Sequence, residues 1–75
     1  MINAERFADA RAIWEAALRR HRDSAPLLFN LGAVCEAIGD FPAAESYYRN
    51  AARIAPADPR YRTELNQFRR RKPSS

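Results

Sequence analysis

The stretch FPAAESYYRNAA, residues 41–52, returns in looser form as FADARAIWEAAL, residues 7–18. Phe7, Ala10, Trp14 and Ala17 each lie 34 residues before Phe41, Ala44, Tyr48 and Ala51. Within each copy these positions are spaced by three, four and three residues, which puts them on one face of an α-helix. Extending the comparison forward sets Leu27, Leu31 and Val34 opposite Tyr61, Leu65 and Phe68. The repeating unit is therefore a pair of helices.

Local signals bound four helices. The first is expected from about Ala4 to His21, with Asn3 as a cap, Phe7, Ala10, Trp14, Ala17 and Leu18 on its apolar stripe, and Arg and Glu on the solvated side. Ser24 caps a second helix, about Ala25 to Ile38, whose first turn tolerates Pro26 because that amide would be unpaired anyway. Leu27, Leu28, Leu31, Val34, Cys35 and Ile38 form its wide apolar face, and Gly39 stops it as a residue able to take positive φ. Asp40 and Pro42 open a third helix to Ile54, which Pro56 ends. Asp58 and Pro59 open a fourth to about Arg70, with Tyr61, Leu65 and Phe68 facing inward. No run alternates long enough for a strand. The expectation is one all-α domain over residues 1–72. It divides into the second helix of a partial repeat (1–24), a complete repeat (25–58) and the first helix of a next one (59–72), with a disordered tail at 73–75.

Composition narrows the function. One cysteine in 75 residues excludes an internal disulfide and a multi-thiolate zinc site. One His, one Cys and two glycines already used in packing and capping leave no triad, metal cluster or phosphate loop, so neither catalysis nor a cofactor is expected. Nothing approaches the ~20 apolar residues of a membrane span, and no charged-then-apolar leader opens the chain, so a cytoplasmic location is expected. Net charge is +4. Residues 60–72 hold six basic groups and one acid, leaving seven basic and eight acidic groups elsewhere, so the charge reads as a basic C-terminal segment on a neutral body. A solvated helix end, favourable with the macrodipole, is the plainer account of FRRRKPSS. Nucleic acid or an acidic partner is the alternative.

LFNLGAVCEAIGDFPAAESYYRNAARIAP, residues 28–56, resembles the tetratricopeptide repeat (TPR) pattern. Leu28 stands at that family's frequent Trp, Leu31 and Gly32 match its Leu-Gly pair, and Cys35 replaces its usual Tyr. Ala44, Tyr48, Ala51 and Pro56 match its small, aromatic, small and proline positions. The resemblance implies a right-handed helical solenoid fragment acting as a protein-interaction or assembly scaffold. It also implies a groove holding an extended peptide or a partner helix, lined by Phe29, Asn30, Ala33, Glu36 and Ala37 on the second helix and Arg60, Thr63, Glu64 and Gln67 on the fourth. Asn30 matches an amide position that holds a ligand's backbone or carboxylate, and Arg60 a basic position of the carboxylate-clamp subgroup. Glu64 replaces another basic group there, which argues against a clamp.

About three repeats are usually needed for an independently stable array, and here there are about two. Ile2, Ile13 and Leu18 at one end and Tyr61, Leu65 and Phe68 at the other are therefore expected to lack partners, and a homodimer or larger homo-oligomer to cover them. A scaffold without a ligand of its own, excised from a longer array or designed, is a third reading. Cys35 reads as core filler and His21 as a lone imidazole among arginines at a helix end, without a metal or catalytic role.

Overall fold

The structure, a computed structural model, describes residues 4–71. Asn3, Ile2, Lys72 and the tail expected at 73–75 lie outside the described residues. Four helices make up the fold: α1 (Ala4–Arg20), α2 (Ala25–Ala37), α3 (Phe41–Ile54) and α4 (Pro59–Arg71). No strand occurs among the described residues. Three- and four-residue connections reverse the chain, and each helix packs on the next in order: α1 on α2, α2 on α3, α3 on α4.

The helix ends follow from local chemistry. Ser24 holds extended backbone and its hydroxyl accepts from the Leu27 amide at 3.3 Å, supplying a partner for an amide that has none within α2. At the other end of α2, Gly39 has φ +85°, its amide donates to the Glu36 carbonyl at 3.1 Å, and the Asp40 amide donates to the Cys35 carbonyl at 2.8 Å. This pair of bonds is the Schellman closure, which needs a left-handed residue where Gly39 stands. Asp40 then caps α3, accepting from the Ala43 amide at 3.4 Å. The Asp58 carboxylate accepts from the Arg60 amide at 3.0 Å at the start of α4.

The core forms where α2, α3 and α4 meet. Cys35, Ala44, Tyr48, Leu65 and Phe68 make one buried cluster, with Ala25, Leu28, Ala51 and Tyr61 making a second beside it. Tyr48 bridges the layers, its ring centroid 5.3 Å from that of Phe68 and 5.8 Å from that of Phe29. Leu31, Cys35 and Phe68 are fully enclosed, and Gly32 is buried against the Tyr48 ring. Burial pushes the Cys35 thiol pKa up, which suits an inert filler.

Three expectations are corrected. Tyr61, Leu65 and Phe68 do not lack cover: α2 and α3 of the same chain bury them to 7%, 7% and 0% exposure. They are core, not a spare surface for a second copy. Conversely, Phe7, Ala10, Trp14 and Ala17, expected in the core through their match to α3, are half-buried, because α1 packs along one side on α2; no residue of α1 whose side chain is described is buried. Ile13 is 66% exposed, and Leu18 lies partly buried against the second cluster. Phe41 is likewise half-buried and Pro56 exposed in the turn after α3, where its part is to end the helix.

Polar side chains make up for part of what α1 lacks in apolar burial. The Arg11 guanidinium donates from Nε to Glu15 Oε2 at 3.1 Å and from Nη1 to Asp40 Oδ2 at 2.9 Å, tying α1 to the cap of α3. The Tyr47 hydroxyl donates to Glu15 Oε2 at 2.8 Å. Glu15 and Arg11, expected on a solvated face, are thus a clamp between helices 29 to 32 residues apart. The Tyr47 bond, against the opposing effect of burial, holds the Glu15 carboxyl below its ordinary 4.5, with Arg11 adding to it. Burial foremost, and then Glu15, pushes Tyr47 up to about 12.

A pH dependence follows. A carboxylate whose folded pKa is depressed stabilises the fold above the unfolded value, and that stability is lost as pH falls through the folded value. Melting temperature is expected to hold steady above about pH 5 and to fall below about pH 4. Trp14 fluorescence, reporting on α1, should change with or before helicity. Glu15→Gln should lower stability at pH 7 by about 0.5–1 kcal/mol, a figure reduced for solvent screening, and make the acid limb shallower. An unchanged acid limb in Glu15→Gln would show that the clamp does not couple to folding.

Candidate functional site

A hollow of about 330 Å³ opens between α2 and α4. Pro26, Phe29 and Asn30 line it from α2, and Arg60, Tyr61 and Glu64 from α4. The two walls correspond through the 34-residue period: Pro26 pairs with Arg60 and Asn30 with Glu64. Phe29 and Tyr61 meet edge to face at a centroid distance of 5.9 Å and form the apolar floor. Asn30 stands exposed at the rim, where its amide can both donate and accept.

Four of the nine residues expected in the groove, Phe29, Asn30, Arg60 and Glu64, line this hollow together. Ala33, Ala37, Thr63 and Gln67 are exposed but do not line it. Glu36, half-buried, acts as a bracket: it accepts from the Tyr48 hydroxyl at 3.0 Å and from Arg71 Nε and Nη2 at 2.9 Å each. Arg71 foremost, and Tyr48 after it, hold the Glu36 carboxyl below its usual range against burial. Pro26 and Tyr61 join the lining without having been expected there, although the period that relates Pro26 to Arg60 is readable in the sequence.

The charges at the hollow are largely answered within the chain. Arg60 wraps back on Asp58, with Nη2 to Oδ2 at 2.6 Å and Nε to Oδ1 at 3.0 Å, and its guanidinium carbon sits 5.7 Å from the Tyr61 ring centre. Glu64 accepts from Arg71 Nη2 at 2.7 Å. Neither is a lone charge. The FRRR run is not simply a solvated end: Arg69 donates to Glu45 at 3.1 Å and Arg71 to Glu36 and Glu64, fastening α4 to α3 and α2.

A family model described as tetratricopeptide repeat matches residues 2–59. The chain belongs to the tetratricopeptide repeat family. The matched span covers α1, α2 and α3 and ends where α4 begins. No curated protein and no solved structure gave a match. TPR chains as a family act through protein–protein contacts, which gives this TPR fold a general interaction or scaffold role. Among the described residues no helix is long and apolar enough to cross a membrane.

Proposed function

We propose that this chain is a peptide-binding TPR module that seats an extended segment of a partner protein across α2 and α4. In this reading residues 25–58 form a complete repeat, 1–24 the second helix of a partial repeat and 59–72 the first helix of a next one. The hollow carries the proposal: positions equivalent under the repeat, Pro26 with Arg60 and Asn30 with Glu64, converge on one aromatic floor. An exposed amide above an apolar floor suits a peptide backbone whose side chain drops between Phe29 and Tyr61. Because Arg60 is held by Asp58 and Glu64 by Arg71, specificity rests on backbone hydrogen bonding and side-chain shape rather than on capture of a terminal carboxylate.

Selection of random peptides displayed on phage against the full chain tests this. Selected peptides are expected to shift backbone amide resonances of α2 and α4 around Asn30 and Arg60. They should lose about tenfold in affinity on Asn30→Ala, the value of roughly one well-placed hydrogen bond. Peptides that bind equally well to Asn30→Ala and leave those resonances unmoved would overturn the proposal.

A further inference from the structure

We propose a second binding surface, an arginine-walled groove on the other side of α4, that takes an acidic peptide segment carrying apolar side chains. Arg49 and Arg53, four residues apart on α3, face Arg62 and Arg69 on α4 across a hollow of about 410 Å³. All four arginines are exposed. Ala52, Pro56 and Leu65 give the groove an apolar wall and Asn66 adds an amide. No carboxylate is among its lining residues.

Three arginines outside the groove are matched within the chain: Arg11 by Glu15 and Asp40, Arg60 by Asp58, Arg71 by Glu36 and Glu64. In the groove Arg69 pairs with Glu45, whereas Arg49, Arg53 and Arg62 have no ion-pair partner among the described residues. Like charges four residues apart on a helix repel, so the free chain carries a cost that an anion between the two rows would relieve. The basic surface therefore follows a count along the chain only in part: of residues 60–72 it takes Arg62 and Arg69, Arg60 and Arg71 are engaged with Asp58, Glu36 and Glu64, and α3 supplies two more cations from a stretch that reads as neutral.

The lining decides the class of anion. A single-stranded nucleic acid gains much of its affinity by stacking bases on aromatic rings, and no aromatic residue lines the groove. Guanidinium forks match carboxylates in bidentate geometry, and an aliphatic wall between the rows suits Leu- or Val-like side chains set among Asp or Glu. The occupant is thus an acidic, partly apolar protein segment. Binding should weaken with salt, because the arginines are solvent-exposed.

Fluorescence anisotropy with the full chain tests the assignment. The probe is a fluorescein-labelled peptide of about a dozen residues repeating Glu-Glu-Leu, set against its Lys-Lys-Leu counterpart and a labelled oligouridylate of similar length. The acidic peptide is expected to bind best, and Arg53→Glu with Arg62→Glu to weaken it by about tenfold or more and flatten its salt dependence. Arg19→Glu with Arg20→Glu, an equal change of net charge on α1, should leave affinity within about twofold, as should Asn30→Ala, which separates this site from the α2–α4 hollow. Helicity of the reversed variant should be retained; if it is lost, Arg53→Gln with Arg62→Gln replaces it with the same expected direction. Equal losses in the two charge-reversal pairs, tighter binding of the oligouridylate, or no binding of the acidic peptide at low salt would each overturn the proposal.

Discussion

Phe68→Ala should cost the fold about 3–5 kcal/mol, the range for removing a fully enclosed aromatic ring. Phe68 is 0% exposed, packed with Cys35, Ala44, Tyr48 and Leu65, its ring 5.3 Å from that of Tyr48 and 6.3 Å from that of Phe41. Native domains hold roughly 0.05–0.15 kcal/mol per residue, so a chain of 75 residues has about 4–11 kcal/mol in all. The substitution removes a large part of that. It should be felt first in α4, whose other buried anchors are Tyr61 and Leu65. Urea titration followed by circular dichroism measures the loss, and Phe68→Leu, which keeps most of the volume, should retain most of the stability. A cost under about 1 kcal/mol for Phe68→Ala would mean that this face of α4 is not core and would restore the idea that it awaits a second copy.

Periodicity tells which side of a helix is apolar, but not which neighbour covers it. By pattern alone Tyr61, Leu65 and Phe68 belong to a missing helix, although α2 and α3 already enclose them, while Trp14 matches the core residue Tyr48 and yet is half-buried. The helix limits are legible to within a residue because their signals are local: Ser24, Gly39, Asp40, Pro56 and the Asp58–Pro59 step act through bonds to neighbours a few positions away. The polar clamps are not. Arg11 with Asp40 and Arg71 with Glu36 join residues 29 and 35 apart, pairs fixed by how the helices lie on one another. At the candidate site, Asn30, Arg60, Glu64 and Phe29 are legible through the family pattern, whereas Pro26 and the meeting of Arg49 and Arg53 with Arg62 require the packing.

Gly32→Ala is where local propensity and packing give opposite signs, and packing is expected to win. Alanine within a helix is favoured over glycine by about 0.8–1 kcal/mol, so α2 alone would gain from the change. A Cβ at Gly32 would lie 2.7 Å from both Cδ1 and Cε1 of Tyr48 and 3.1 Å from its Cγ. The ring cannot step aside: it is 1% exposed, flanked by Phe29 and Phe68, with its hydroxyl held by Glu36 at 3.0 Å. Instead α2 must lift off α3, and the net result should be a loss of about 1–3 kcal/mol. Gly39 offers the contrast, since a Cβ there would meet no atom within 4 Å and only the φ of +85° penalises a side chain, by about 1–2 kcal/mol. A double-mutant cycle isolates the contact. In a Tyr48→Leu background, where the ring is gone, Gly32→Ala should become neutral or stabilising, giving a coupling of about 1–3 kcal/mol in thermal or urea melts. Because Phe29 and Asn30 precede Gly32 on the same helix, the single variant should also weaken peptides held in the α2–α4 hollow, and Tyr48→Leu should restore part of that affinity. If Gly32→Ala instead raises the melting temperature, the close approach of α2 to α3 is not what sets the geometry of this fold.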